Sequence, residues 1–200
     1  MDPREQIIAA ASEKMRQAGI RSVSVDDICR ELGMSKKTFY VHFETKDVLI
    51  DELLRRREQH IVEEYEEKTK GHTIVELLVD FFQIARNPND VRLVPPLYYD
   101  LRKYYPQLFE EHLQRLDAIN RDLMTRYLNK GKAEKLFRED LDVELTAELC
   151  AELHQRMMNR LITAKDEKHV AQVGNYGVRI FFRGLLSDEG RQVLREKLQK

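Results

Sequence analysis

The chain has 200 residues, 42% hydrophobic and 34% charged, with 34 Lys and Arg against 35 Asp and Glu. That length buries one large core or two small ones, and no apolar run approaches the roughly 20 residues of a membrane-spanning helix. A net charge of −1 excludes attraction to nucleic acid by bulk charge, so any such function must rest on where individual cations stand.

The polar start Met1-Asp2-Pro3-Arg4-Glu5-Gln6 lacks the apolar centre of a signal peptide, and the expected location is the cytoplasm. Cys29 and Cys150 form no C-x-x-C pair, which argues against a thiolate metal site. Each is expected to fill an apolar helix face.

In chain order every periodic segment reads as helix. Ile7, Ile8, Ala11 and Met15 recur at helical spacing over residues 4–18, and Gly19 stands where a left-handed residue ends a helix. Ser24 reads as the N-cap of a short helix bearing Ile28 and Leu32, with Asp27 in the place of the usual capping-box Glu. Gly33-Met34-Ser35 breaks that helix, and Ser35 caps another carrying Phe39 and Phe43. Thr45-Lys46-Asp47 opens a long helix reaching about residue 68.

After Gly71 come a helix over residues 74–86, stopped by Asn87-Pro88-Asn89, and one from Pro95-Pro96 that Pro106 interrupts. A long helix follows over 107–128. Gly131 and residues 137–142 read as a loop before helices at 143–162 and 170–186 and a short amphipathic tail. The predicted fold is all-α. Residues 1–50 form a three-helix helix-turn-helix domain, and residues 51–200 form a larger helical domain for effector binding and dimerisation. The helix ending near residue 68 is shared by both.

Two short helices joined by a glycine-containing turn are the helix-turn-helix signature. Ile28, Leu32, Met34, Phe39 and Phe43 face inward, which leaves Lys36, Lys37, Thr38, Tyr40, Val41 and His42 on the outer face of the second helix. Such a mixture of cations, hydroxyls, ring and aliphatic groups suits a helix that reads base edges in the major groove. The domain is electrically neutral, with eight Lys and Arg against eight Asp and Glu in residues 1–47.

The run from Ser24 to Asp47 resembles the TetR (tetracycline repressor) family. The most specific part is Gly33-x-Ser35 followed by Thr38-Phe39-Tyr40-x-His42-Phe43-x-x-Lys46. The resemblance covers residues 4–55 or so, and Leu136-Phe137-Arg138-Glu139-Asp140 resembles, more weakly, the loop before that family's dimer helices. It implies a homodimeric regulator of transcription, usually a repressor, that a small-molecule effector releases from a palindromic operator in double-stranded DNA. It implies DNA contacts by Lys36, Lys37, Thr38, Tyr40, Val41 and His42, with Ser24, Ser35 and Lys46 mainly on phosphates. Many members carry an aromatic at the position of Val41, so Val41 is expected to meet a thymine methyl.

The C-terminal part shows no H-E-x-x-H, G-x-S-x-G or P-loop. No His stands three residues after a Glu, as a di-iron bundle requires. No enzyme, cofactor or metal is expected. Pocket candidates for an effector are Phe81, Tyr98, Tyr99, Tyr104, His112, Leu116, His154, Met157 and Met158, an apolar set with a few polar anchors. Leu149 and Leu153, with Gly174, Gly177, Phe181 and Gly184 on the following helix, are expected at a four-helix dimer interface. Lys36, Lys37 and Lys46 of two copies give six cations and a salt slope of about −5. The alternatives are a factor of the same fold without an effector, an activator, and a helical-bundle enzyme.

Overall fold

Asp2 Oδ1 accepts a hydrogen bond from the Arg4 N–H at 3.1 Å, and Pro3 takes the first helical position, where its fixed φ and missing N–H cost nothing. Helix α1 (Pro3–Ala18) starts there and ends at Gly19, whose N–H bonds the Met15 carbonyl. Gly19 has φ +83° and ψ 166°. It therefore has the positive φ expected of it but occupies the extended, glycine-only region rather than a left-handed helical turn. The computed structural model describes residues 2–84 and 96–199, except the side chains of residues 80–84 and 167.

Helix α2 (Val25–Leu32) begins with a reciprocal capping box between Ser24 and Asp27 and ends at Gly33, which is left-handed at φ 62°, ψ 27°. Helix α3 (Lys36–His42) is capped by Ser35. Thr45 Oγ1 accepts from the Val48 N–H at 3.2 Å and starts α4 (Lys46–Thr69). Then follow α5 (Ile74–Ile84), α6 (Pro96–Tyr104), α7 (Pro106–Ala133), α8 (Val143–Thr163), α9 (Glu167–Leu185) and α10 (Asp188–Leu198). The described residues contain ten helices and no strand; one isolated bridge joins Phe137 to Leu186. The fold is all-α. No described helix is long and apolar enough to cross a membrane.

Two boundaries differ from the sequence reading. Pro106 is the first residue of α7, so a residue read as an interruption is a helix start. Gly131, read as loop, lies inside α7, because the Phe137 ring folds back over it. A Cβ there would stand 2.3 Å from Phe137 Cδ2. The loop therefore begins only after Ala133.

The chain divides into two compact units. The first comprises Met1–His60 with Val94–Arg115, and the second Ile61–Leu93 with Leu116–Lys200. The expected division at residue 50 falls inside α4. In the first unit, Ile7, Ala11, Ile28, Phe39, Leu49, Ile50 and Leu101 have no exposed surface, and α1 packs on both α2 and α6. In the second, Ile74, Val75 and Leu78 of α5 pack with Leu128, Phe137, Ala147, Leu186 and Leu194.

Candidate nucleic-acid interface

Helix α3 is short, and its two faces are chemically opposite. Phe39 and Phe43 are buried at 0% and 1% exposure, their ring centroids 5.9 Å apart. The Arg4 guanidinium lies 5.2 Å over the Phe43 ring. Burying two phenylalanines is worth about 1.5–3 kcal/mol each, which anchors α3 to its unit. The outer face carries Lys36, Lys37, Tyr40 and Val41, all exposed, with Thr38 and His42 half-buried beside them. Val41 is 74% exposed and Tyr40 49%. The Tyr40 ring meets the edge of Phe39 at 5.3 Å and 84°, so the core fixes the direction of the phenol.

Ser35 orders the start of this face. Its Oγ accepts from the Thr38 N–H at 3.1 Å and lies 2.9 Å from the Thr38 hydroxyl. Lys36 Nζ pairs with Asp26 Oδ1 at 2.7 Å, and that carboxylate pushes the Lys36 pKa above its ordinary value. Lys37 has no ion-pair partner among the described residues.

Two residues expected to hold phosphate are engaged elsewhere. Lys46 Nζ donates to the Ile20 carbonyl at 2.6 Å and the Val23 carbonyl at 2.5 Å. Its ammonium is a clamp on the loop between α1 and α2, and partial burial lowers its pKa. The Ser24 N–H donates to Asp27 Oδ2 at 3.0 Å and its hydroxyl donates to the same oxygen at 2.5 Å. Those bonds hold the Asp27 carboxyl below its usual range and leave Ser24 no donor for a phosphate. The exposed cations of α3 are therefore Lys36 and Lys37.

A second polar centre in the first unit escaped the sequence reading. Glu58 of α4 and His112 of α7 are 5% and 0% exposed, with His112 Nδ1 2.6 Å from Glu58 Oε1. Arg115 Nε donates to both Glu58 oxygens at 3.0 and 2.8 Å, and its Nη2 donates to Asp51 Oδ1 at 3.0 Å. His112 Nε2 is 3.1 Å from the Tyr98 hydroxyl. Because Glu58 faces Arg115 and acts as acceptor, His112 carries its hydrogen on Nδ1, and Nε2 accepts from Tyr98. A sequence signal existed: Glu58 continues the four-residue spacing of Ile50 and Leu54, so an acid stands in an apolar stripe.

The pocket candidates fall in both units. Tyr98, Tyr99, Tyr104 and His112 belong to the first. There the Tyr98 and His112 polar atoms satisfy each other, and the Tyr104 hydroxyl accepts from Arg21 Nη1 at 2.5 Å. Tyr99 is 36% exposed. Leu116, His154, Met157 and Met158 belong to the second. Leu116 is buried and both methionines are half-buried, while His154 is exposed and bonds Asn120 at 3.0 Å. Phe81 is part of α5, but its side chain lies outside the described residues.

Among the dimer candidates, Leu149 and Leu153 are each 47% exposed, and Gly177 and Gly184 have open space around them. Gly174 and Phe181 are taken up within the chain. A Cβ on Gly174 would meet the Met157 sulfur at 1.9 Å, and Phe181 packs against the second core. The exposed apolar face instead gains Leu145 at 65%, Val173 at 45%, Tyr176 at 69% and Ile180 at 56%.

Residues 7–53 match the family model for bacterial regulatory proteins, tetR family. An HTH-type transcriptional repressor of Rhodococcus jostii (strain RHA1), KstR2, is 26% identical over 149 residues, 71% of each chain. The HTH-type transcriptional regulator YvdT of Bacillus subtilis (strain 168) is 27% identical over 92 residues, 44% of this chain and 47% of YvdT. The match thus spans about half the length of that relative. A TetR-family regulator of Pectobacterium atrosepticum shares the fold at a TM-score of 0.70 and 14% identity, over 92% of this chain and 94% of that one. Another, from Cytophaga hutchinsonii, does so at 0.68 and 17%, over 92% and 95%.

Proposed function

We propose that the chain, whose residues 7–53 match the family model for bacterial regulatory proteins, tetR family, is a homodimeric, ligand-responsive transcriptional repressor acting on a near-palindromic operator. The observation that carries the DNA-reading part is α3. Phe39 and Phe43 fix one face in the core, and the other presents Lys36, Lys37, Tyr40 and Val41 to solvent. The cations meet phosphate or guanine, and Val41 gives an apolar contact of the kind a thymine methyl accepts. Thr38 and His42 lie beside this set, and Ser35 orders its first turn.

Dimerisation is supported by the exposed apolar face of α8 and α9. Leu145, Leu149 and Leu153 recur every four residues, and Val173, Tyr176 and Ile180 line the neighbouring helix. An unpartnered apolar surface of that extent is a protein contact site, and a second copy covers it by two-fold symmetry. Two α3 helices then sit about 34–36 Å apart, on successive major grooves. The effector is assigned to the helical region after residue 60, with Leu116, Met157 and Met158 as lining residues. Its binding favours a dimer whose α3 helices are spaced wrongly for the operator. The protein works in the cytoplasm, with the DNA.

Selection of the full-length protein on a random duplex pool tests this reading. The expected product is a sequence with two inverted half-sites one helical turn apart. Recovery of unselected sequence after several rounds would refute it.

A further inference from the structure

The loop from Gly19 to Val23 joins α1 to α2, and it is held from two sides. Lys46, at the start of α4, takes the carbonyls of Ile20 and Val23. On another side stands α6. Asp100 Oδ2 accepts the Arg21 N–H at 2.8 Å, and the Arg21 guanidinium donates to the Tyr104 hydroxyl while lying 4.9 Å from the ring centroid.

Gly19 supports this arrangement independently. A Cβ at residue 19 would stand 2.6 Å from Asp100 Oδ2 and 3.7 Å from Pro96 Cβ. The absent side chain thus leaves the space that the Asp100 carboxylate occupies, besides allowing the positive φ. All these residues lie within the first unit, although 79 positions separate Arg21 from Asp100.

We infer that Asp100 is a positioning residue for DNA reading: its carboxylate fixes the backbone of the α1–α2 loop and so sets the attitude in which α2 and α3 meet the duplex. The physical chain is short. Loop residues Ile20 and Val23 are buried at 0% and 4% exposure and serve as its inner anchors. Arg21 is exposed, and its amide is held by one charge-assisted bond. Ser24, which caps α2, follows directly on Val23 at the end of this loop. Without the Asp100 bond the loop keeps the Lys46 clamp but loses the tie of its backbone to α6, leaving only the side-chain contact of Arg21 with Tyr104. The helix pair then samples orientations that fit a groove less well, with every DNA-facing side chain still present.

The inference rests on the DNA-binding reading, and its test keeps the two apart. Full-length wild type, D100A and D100N are compared on the duplex that wild type selects from a random pool. D100A is expected to bind roughly tenfold more weakly, with the same preferred sequence and salt slope, because no phosphate or base contact has been removed. Hydrogen exchange at the Arg21 amide should accelerate in D100A. D100N keeps an acceptor oxygen for that amide and should recover most of the affinity. Wild-type affinity in D100A overturns the inference. So does a D100N variant as weak as D100A whose melting temperature falls in step with its affinity, since that is a structural role only. Should D100A fail to fold, D100S carries the test: its shorter side chain withdraws the carboxylate from the Arg21 amide, and the variant should lose affinity severalfold and overturns the inference if it binds as wild type. A wild type that selects no duplex refutes the DNA-binding reading itself.

Discussion

His112 Nδ1 lies 2.6 Å from Glu58 Oε1, a bond between α7 and α4 that spans 54 positions and is wholly shielded from water on the histidine side. Arg115 grips the same carboxylate. Removing one partner of such a buried group leaves the others without compensation, at about 3 kcal/mol or more. Glu58→Ala should therefore lower the unfolding free energy by about 3 kcal/mol, read as a shift of the urea midpoint. An unchanged midpoint would mean that the network contributes nothing to the fold.

The same pair predicts a pH dependence. Burial pushes the His112 imidazole below its ordinary pKa of 6.5, against the pull of Glu58, whose charge Arg115 already compensates. The folded state thus holds the neutral ring, while the unfolded chain takes up a proton near 6.5. Stability from this group is present above that value and is lost as the pH falls through the lower folded pKa. Wild type should show a lower urea midpoint at pH 5.5 than at pH 7.5. In His112→Gln the difference should shrink; a difference of undiminished size would assign it to other groups.

Engagement of Lys46 with two carbonyls changes the expected salt response of operator binding. Lys36 and Lys37 of two protomers provide four cations, for a slope of log affinity against log salt of about −4 rather than −5. Lys37→Ala should bring the slope to about −2. Lys46→Ala should instead lower thermal stability. A Lys46→Ala protein with unchanged melting and a slope reduced by two would restore Lys46 as a phosphate ligand.

Two glycines in helices should respond oppositely to alanine. Gly131→Ala gains helix propensity of about 1 kcal/mol but forces the added carbon onto the Phe137 ring, so the net effect on melting should be a loss. Gly177→Ala meets nothing within 4 Å in the chain and should not destabilise the monomer fold. A loss of stability at Gly177 that is present at concentrations where the protein is dimeric and disappears on dilution to the monomer would place that residue in a dimer contact.

For the α8–α9 face, Leu149→Glu with Leu153→Glu places charges on positions already half exposed. The fold should survive with unchanged helical circular dichroism, and sedimentation at micromolar concentration should move from dimer to monomer mass. A double variant that stays dimeric would move the interface elsewhere.

The helix-turn-helix was legible because its determinants are local. Ser24 and Asp27, Ser35 and Thr38, and Phe39 and Phe43 are three or four positions apart, within one or two turns. The long-range ties were not legible. Nothing near Lys46 announces that its ammonium closes on the carbonyls of Ile20 and Val23, and nothing near Asp100 points to Arg21. Gly131 misled for a related reason: a glycine reads as a chain break, whereas here the ring of Phe137, six residues on, requires it inside a helix. Gly174, expected at the dimer seam, is likewise claimed by Met157 from its own chain.

The first unit is assembled from two separated stretches, Met1–His60 and Val94–Arg115. A chimera that grafts only residues 1–60 onto the body of another regulator of this fold would set Glu58 and Arg21 against foreign partners in place of His112, Arg115, Asp100 and Tyr104. DNA preference is therefore transplantable at two scales. One is the handful of solvent-facing side chains on α3; the other is both stretches exchanged together, with a crossover after residue 60 alone yielding a mismatched hybrid.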